Sequence, residues 1–534
     1  MRRKRAPDST VAISTGGQGA TDDIAIESLS TIAKGAGAVL GGTLIGMILM
    51  FAARVILARY LTQSDYGILS LSLVIFGLCL PVSMLGLQEG ATRYIGYFRG
   101  RDEPGKVSAV IASSLALTSG SSILVAIGLF LAAGVISDKV YRMAGLATPL
   151  RLLALAVPLY AGVNMLVAVF RGFDIVRARV YFVNLLQGGL LVILLIGVAS
   201  LRLSLRGAVS AYVASSLLAL LALAVYSTRR LPVGVGARDV DGAVTGRVLM
   251  FSIPVFAVTL VNVVQTQMNP LILGLFENAE VLGLYGAAWP LAQYLSLTLT
   301  AMAFIYVPII SRLHAKGSAR EIEVSYQLST KWLFLVSFPL FLVLLSYARP
   351  LLGALFGSGY ADAAIALQIL SVGFLVHTSL GANGLTLLAI GKSRALLGGS
   401  LAGAMLSLVC NIILVPRFGL EGAAVAAVLS FLGVNLVNSA ALYHFSRIHP
   451  FTSDYVKALL VTAVSLAAYG VVASSLPRGP WTSWIVPPFL GLAWLLCLIL
   501  TNSVGSDDFA LVSNVVKDAA VAAVRIAQMV RRVF

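Results

Sequence analysis

Leu205-Arg206-Gly207-Ala208 recurs 215 residues further along as Leu420-Glu421-Gly422-Ala423, and the apolar runs behind these two segments decide the fold. Each tetrapeptide opens a stretch of about 20 mostly apolar residues, the length of one bilayer-spanning helix. Two more pairs keep nearly the same offset. Tyr66-Gly67 returns as Tyr285-Gly286 after 219 residues, and Arg177-Ala178 as Arg394-Ala395 after 217. A dipeptide alone says nothing, but three pairs in one order, each at the start of an apolar run, mark a duplicated unit. Each copy holds six helices. Six is even, so both copies begin on the same side of the membrane, as parallel repeats with a cavity between two rocking halves.

Composition supports a lipid-solvated chain. Of 534 residues, 59% are apolar and 11% charged, with a mean hydropathy of +0.94. Soluble domains average about 45–50% apolar and about 25% charged. So much apolar surface cannot be hidden inside a water-soluble particle, which excludes a soluble enzyme, a secreted disulfide scaffold and a disordered chain. The runs are continuous rather than alternating, which gives helices and not barrel strands. About fourteen spans fit. The fold class expected is an all-α membrane protein with two pseudo-symmetric six-helix lobes plus a C-terminal helix pair. Cys79, Cys410 and Cys497 lie singly in apolar runs, so neither a disulfide framework nor a zinc cluster is expected.

Charge placement orients these spans. With the N-terminus inside, 28 of the 38 Lys and Arg residues fall on the cytoplasmic side, nine fall outside, and Arg54 lies within the first span. This is the positive-inside bias. It places both termini in the cytoplasm of a plasma-membrane protein. It also assigns the net charge of +16 to topology and anionic inner-leaflet lipids rather than nucleic acid. The divisions expected are a cytoplasmic tail (1–35), a first lobe (36–230), a linker (231–248), a second lobe (249–445), appended helices 13 and 14 (446–503) and an amphipathic tail (504–534). No apolar core follows the Arg2–Arg5 cluster, so a cleavable signal peptide is not expected. The last segment alternates Val515, Val516, Ala519 and Ala520 with Lys517 and Arg525, as a helix lying on the inner leaflet would.

Polar side chains within apolar spans are costly and therefore informative. Asn262, Gln265 and Asn269 are spaced 3 and 4 on one helix face, bracketed by Pro254 and Pro270, with Gln267 off that stripe. Gln293 follows Trp289 and Pro290 in the next span, Asn164 shares a face with Tyr160, and His377 and Asn383 share another span. Two readings compete for each: a cavity wall, or a hydrogen bond between packed helices, worth about 0.6 kcal/mol on average. For His377 the alternatives are a packing histidine, a ligand or a proton carrier. Arg54 either snorkels to the outer interface or turns inward to meet an anionic head group. Glu89 and Arg93 form an expected interfacial ion pair. The expected substrate-binding set is Arg54, Asn164, Asn262, Gln265, Asn269, Gln293, His377 and Asn383.

Absences narrow the chemistry. No Asp or Glu sits at mid-depth in a span, which disfavours a pump coupled through a buried carboxylate. Gly391-Lys392-Ser393 lacks the earlier glycine of a phosphate loop, since Thr386 stands there. Loops of about 20 residues at most leave no room for a catalytic domain. Neither enzyme activity, cofactor nor metal is expected.

Leu57-Ala58-Arg59-Tyr60-Leu61 followed by Asp65-Tyr66-Gly67, together with Val415-Pro416-Arg417-Phe418-Gly419-Leu420-Glu421-Gly422-Ala423-Ala424, resembles the polysaccharide or lipid-linked oligosaccharide flippases. These belong to the multidrug/oligosaccharidyl-lipid/polysaccharide exporter superfamily, and the resemblance covers roughly residues 35–500. Both segments are turns, so it carries over no substrate ligand. It implies two six-helix lobes in a V, and a cationic cavity passing a polyprenyl-phosphate or -pyrophosphate glycan outward. The partners implied are that lipid-linked glycan and membrane lipids. The rival expectations are a lipid II-type flippase, a multidrug/cation antiporter, and a non-transporting scaffold for glycan-assembly enzymes.

Overall fold

The computed structural model describes residues 41–202, 204–231, 240–475, 480–501 and 503. The regular elements among them are all helical. Helix α1 (Gly41–Tyr60) turns into α2 (Gln63–Met84), where the Thr62 hydroxyl accepts from the Asp65 N–H at 3.1 Å and so caps the first turn. Leu85 and Gly86 adopt left-handed backbone and end α2. The chain then enters α3 (Leu87–Arg99), whose buried Leu87, Ala91, Ile95 and Phe98 lie on one face. The left-handed pair breaks the helix there, and α3 beyond it is amphipathic.

The first half continues with α4 (Pro104–Val135), α5 (Ala147–Gly172), α6 (Arg179–Ser200) and α7 (Leu205–Arg230). The second half holds α8 (Gly242–Phe276), α9 (Ala279–Gln293), α10 (Leu297–Ala315), α11 (Ala319–Ser346), α12 (Ala348–Phe356), α13 (Ala364–Leu380), α14 (Ala382–Ala389) and α15 (Ser393–Ser446). Two more helices, α16 (Ser453–Ser475) and α17 (Pro480–Leu500), dock on α11. There Trp494 stacks on Phe338 at 4.5 Å and donates to Thr462 Oγ1 at 2.8 Å. The tails at 1–35 and 504–534 lie outside the described residues.

Ten helices among the described residues are long and apolar enough to cross a membrane, or eleven if Ala279–Ala303 and Ile305–Ala315, bent by 42° to each other, form one span. Fourteen were expected, and part of the difference lies in α15. Its 54 residues would reach about 80 Å if straight, far beyond the roughly 30 Å of hydrocarbon. Gly419, at φ 51° and ψ −121°, adopts a conformation that only glycine enters freely, and the helix folds back there. The two arms run antiparallel: Ser430 Oγ donates to Gly403 O at 2.9 Å, and Gly399 faces Asn438. Leu420 opens the second arm as Leu205 opens α7, so each copy of the repeated tetrapeptide lies at the start of a helix.

Hydrophobic packing differs between the two ends of the molecule. At the end bearing Leu61 and Tyr360, one core takes residues from both halves, including Tyr66, Leu69, Leu282, Tyr285 and Phe356. At the other end the cores are separate. Leu87, Ile95 and Val110 gather with Val248 of α8, while Tyr306, Ile322, Leu387 and Leu442 form a second cluster. The shared end is also tied by polar contacts. Arg59 donates through Nε to Leu355 O at 2.9 Å and through Nη2 to Ala354 O, meeting the carbonyl end of α12 where a cation is favoured. Tyr66 meets Tyr360 edge-on at 5.8 Å, and Phe51 meets Phe356 at 6.2 Å.

The closest approach of the halves is between α2 and α9. A Cβ on Gly67 would run into the Ala279 carbonyl, one on Gly283 into Gln63 O, and one on Gly286 would lie 2.7 Å from Ser70 Oγ. Small residues let membrane helices come this close. Gly67→Ala is therefore expected to cost about 1–3 kcal/mol through overpacking, seen as a lower unfolding temperature in detergent. Gly128→Ala, where a Cβ meets nothing within 4 Å, should leave that temperature unchanged or slightly raised.

Candidate functional site

Below the shared core, the halves enclose a cavity of about 600 Å³. The first half contributes Arg54 of α1, Tyr66 and Ser70 of α2, Tyr160 of α5 and Tyr212 of α7. Arg54 is half-buried, and it is the one charged group among the described lining residues. Tyr66, Tyr212 and Tyr294 stand close enough to feel its charge. A cation in such a site acts through a low effective dielectric, where its attraction for an anion is several-fold that in water. It carries five N–H donors in a fixed fork that suits phosphate.

The second half forms the opposite wall. Asn269 of α8 is buried, and its Oδ1 accepts from Asn411 Nδ2 at 2.7 Å and from Ser407 Oγ at 3.2 Å, which pins α8 to the first arm of α15. Gln265 and Gln267 line the wall beside it. From α9 come Trp289 and Gln293, from α13 His377, and from the second arm of α15 Phe431. His377 stacks on Phe431 at 4.8 Å. Polar oxygens and nitrogens alternate with aromatic faces here, and no carboxylate stands among the described lining residues. No group of three or more His, Cys, Asp or Glu among the described residues is placed to hold a metal ion.

Of the residues singled out from sequence, the structure brings Arg54, Gln265, Asn269, Gln293 and His377 to this cavity. Arg54 turns inward rather than snorkelling outward. Three others lie elsewhere. Asn164 donates to Tyr160 O of its own helix at 2.8 Å. Asn262 is exposed and outside the cavity lining, on the stretch of α8 between its beginning, packed against Gly86 and Gly90 of the first half, and Asn269. Asn383 is 1% exposed and donates to Asn435 O at 3.1 Å and to Ser439 Oγ at 2.9 Å, a packing role. Gln267, set aside as off the stripe, lines the wall. Glu89 pairs with Arg171 at 2.8 Å instead of Arg93, whose guanidinium lies 4.3 Å from the Phe251 ring centre. Sequence reading missed Tyr66, Tyr212 and Phe431 as wall residues, since an aromatic in an apolar run looks like core.

Known proteins share this arrangement of helices. Residues 56–365 match the model of the family described as polysaccharide biosynthesis protein. The chain belongs to that family. A probable low-salt glycan biosynthesis flippase, Agl15 of Haloferax volcanii, is 28% identical over 205 residues, 38% of this chain and 43% of that protein. The chain is thus matched to less than half the length of this relative, and to 28% of each of two others. Stage V sporulation protein B of Bacillus subtilis is 21% identical over 478 residues, 84% of this chain and 90% of that one. Among solved structures, lipid II flippase MurJ in an inward closed conformation superposes with a TM-score of 0.69 at 10% identity, covering 88% of this chain and 98% of that one. This polysaccharide-biosynthesis family member is therefore a multi-pass membrane protein with a flippase-type fold.

Within it, packing amides and cavity amides are separable by stability. Asn383→Leu should lower the unfolding temperature through lost interhelical hydrogen bonds, about 0.6–1.7 kcal/mol. Gln293→Leu, exposed on the cavity, should leave it unchanged. Thermal unfolding of both purified variants checks the difference.

Proposed function

We propose that this protein flips a lipid-linked oligosaccharide, carried on a polyprenyl phosphate or pyrophosphate, across the plasma membrane by alternating access, for polysaccharide or glycan synthesis. The observation that carries this reading is the cavity: one arginine, no carboxylate among its described lining residues, and walls of amides, hydroxyls and aromatic rings. A flippase must shelter a phosphate and a glycan from hydrocarbon while the lipid tail stays outside. Arginine supplies the charge-assisted bond to phosphate, and amides supply both donors and acceptors to sugar hydroxyls.

The organisation proposed is fourteen spans in two six-helix lobes, 36–230 and 249–445, joined by a linker at 231–248 and followed by the pair at 446–503. Orientation by the positive-inside bias puts the end with separate cores toward the cytoplasm, so this conformation is the one that loads. Exchange of the shared core for a joined opposite end then delivers the head group outward. Binding energy that differs between the two states drives that exchange. The relatives' names, a glycan flippase and a lipid II flippase, support a lipid-linked sugar as the cargo class. A cation-coupled multidrug antiporter fits less well, because the cavity offers its cation no acidic side chain among the described residues. Glycan-assembly enzymes are the partners that would deliver and take up the substrate.

In cells lacking the gene, one lipid-linked glycan should accumulate on the cytoplasmic leaflet, and its extraction identifies the substrate. In reconstituted vesicles charged with that lipid, Arg54→Gln should reduce flipping at least tenfold with unchanged folding, and Arg54→Lys should restore part of it. Wild-type flipping by Arg54→Gln would remove the arginine from substrate handling.

A further inference from the structure

We infer that Trp289, Phe431 and His377 form a pyranose-binding subsite in which His377 serves as a neutral hydrogen-bond donor of fixed tautomer. The inference rests on the flippase reading above, and assigns the sugar and the phosphate to opposite walls. Its first support is the hydrogen-bond chain behind His377. Asn383 Nδ2 donates to the Asn435 carbonyl at 3.1 Å and lies 3.3 Å from Asn435 Oδ1. Asn435 Nδ2 in turn donates to Phe431 O at 2.8 Å. Both contacts fix the Asn435 amide, since turning it over would set oxygen against oxygen and nitrogen against nitrogen. The same Nδ2 lies 3.0 Å from His377 Nδ1, so Nδ1 accepts and carries no proton. The ring proton therefore sits on Nε2, which has no hydrogen-bond partner among the described residues of a wall that faces the cavity. Protonating the ring would point two N–H groups at each other. The group offered to a ligand is a neutral N–H.

The second support is the row of rings. His377 stacks on Phe431 at 4.8 Å and 22°, Phe431 neighbours Trp289 at 6.3 Å and 29°, and Tyr285 continues the row at 5.7 Å and 26°. Trp289, Phe431 and His377 are only partly buried, whereas Phe374 is 4% exposed and backs Trp289 edge-on at 5.1 Å. A pyranose presents one face of C–H bonds, weakly positive, which suits the negative face of an aromatic ring. Its hydroxyl or acetamido oxygens then meet a donor at the end of the row. A neutral donor suits these neutral oxygens, while the cation lies on the other wall at Arg54. Asn435 and Asn383 are positioning residues: they set the tautomer and do not touch the sugar.

The test uses the full chain in nanodiscs and two probes: a short-chain prenyl pyrophosphate bearing one hexose or N-acetylhexosamine, and the same prenyl pyrophosphate without sugar. Wild type should bind the sugar-bearing probes more tightly. His377→Phe, which keeps the stack and removes the donor, should cut that preference about tenfold, the worth of one hydrogen bond. His377→Gln, whose amide N–H reaches the place of Nε2, should retain most of it, and Arg54→Gln should weaken both probes alike. A preference untouched by His377→Phe, or absent in wild type, overturns the subsite and leaves the flippase reading standing. Failure of wild type to bind either probe overturns both. Independently of any variant's folding, 15N spectra of labelled histidine should show the His377 ring protonated at Nε2 alone near neutral pH. A signal from the Nδ1-protonated or doubly protonated ring would also overturn the assignment.

Discussion

Helices in lipid gain nothing by hiding apolar surface from a solvent that is itself apolar, so their association depends on how closely backbones can approach. In this protein that approach is made by α2 and α9 at Gly67, Gly283 and Gly286. Everything below follows from it. The contact joins the two halves at one end and brings the Tyr66 hydroxyl to 3.3 Å from Gly286 O, while the other end carries two separate cores, one of which takes in the beginning of α8. The cavity lies against the shared core, whose Leu57, Leu69, Leu282 and Tyr285 form part of its lining. Tyr66 belongs both to the joint and to the wall facing Arg54, so the residue that seals one end also shapes the site.

The two walls divide the chemistry between them. One holds a cation among phenols, and the other holds amides and nearly parallel rings whose hydrogen bonds run back into α8, α13 and α15. Asn269 and Asn435 show how a membrane protein builds such a wall: each spends its amide on a neighbouring helix and thereby holds an adjacent group in place. Packing and recognition are therefore not alternatives at these positions. The same bond that joins two helices orients what the cavity presents.

Much of this was legible in the chain. Hydropathy and the repeated segments gave the helices and their starting points, because helix caps and tight turns leave local signatures that tertiary contacts do not erase. Arg54, Gln265, Asn269, Gln293 and His377 stood out because polar groups in apolar runs need a destination. What helical period cannot say is which destination. Asn262 and Gln265 share a face, yet α8 changes neighbours along its length and carries Asn262 away from the cavity. Asn383 found its partners in the second arm of α15. Gln267 stands off that stripe, yet in a helix that contains Pro254 and Pro270 it lines the same wall as Gln265. Tyr212 and Phe431 were invisible for the opposite reason: their residue types are those of ordinary core, and only the assembled halves bring them to the wall of a cavity.

The tie between Arg59 and α12 has a consequence for how this region tolerates change. The guanidinium grips main-chain oxygens of Ala354 and Leu355, not side chains. Every residue type supplies that oxygen, so α12 is free to drift in composition while its endpoint stays anchored. Length is another matter, since inserting a single residue would rotate the terminal carbonyls by about 100° away from the arginine.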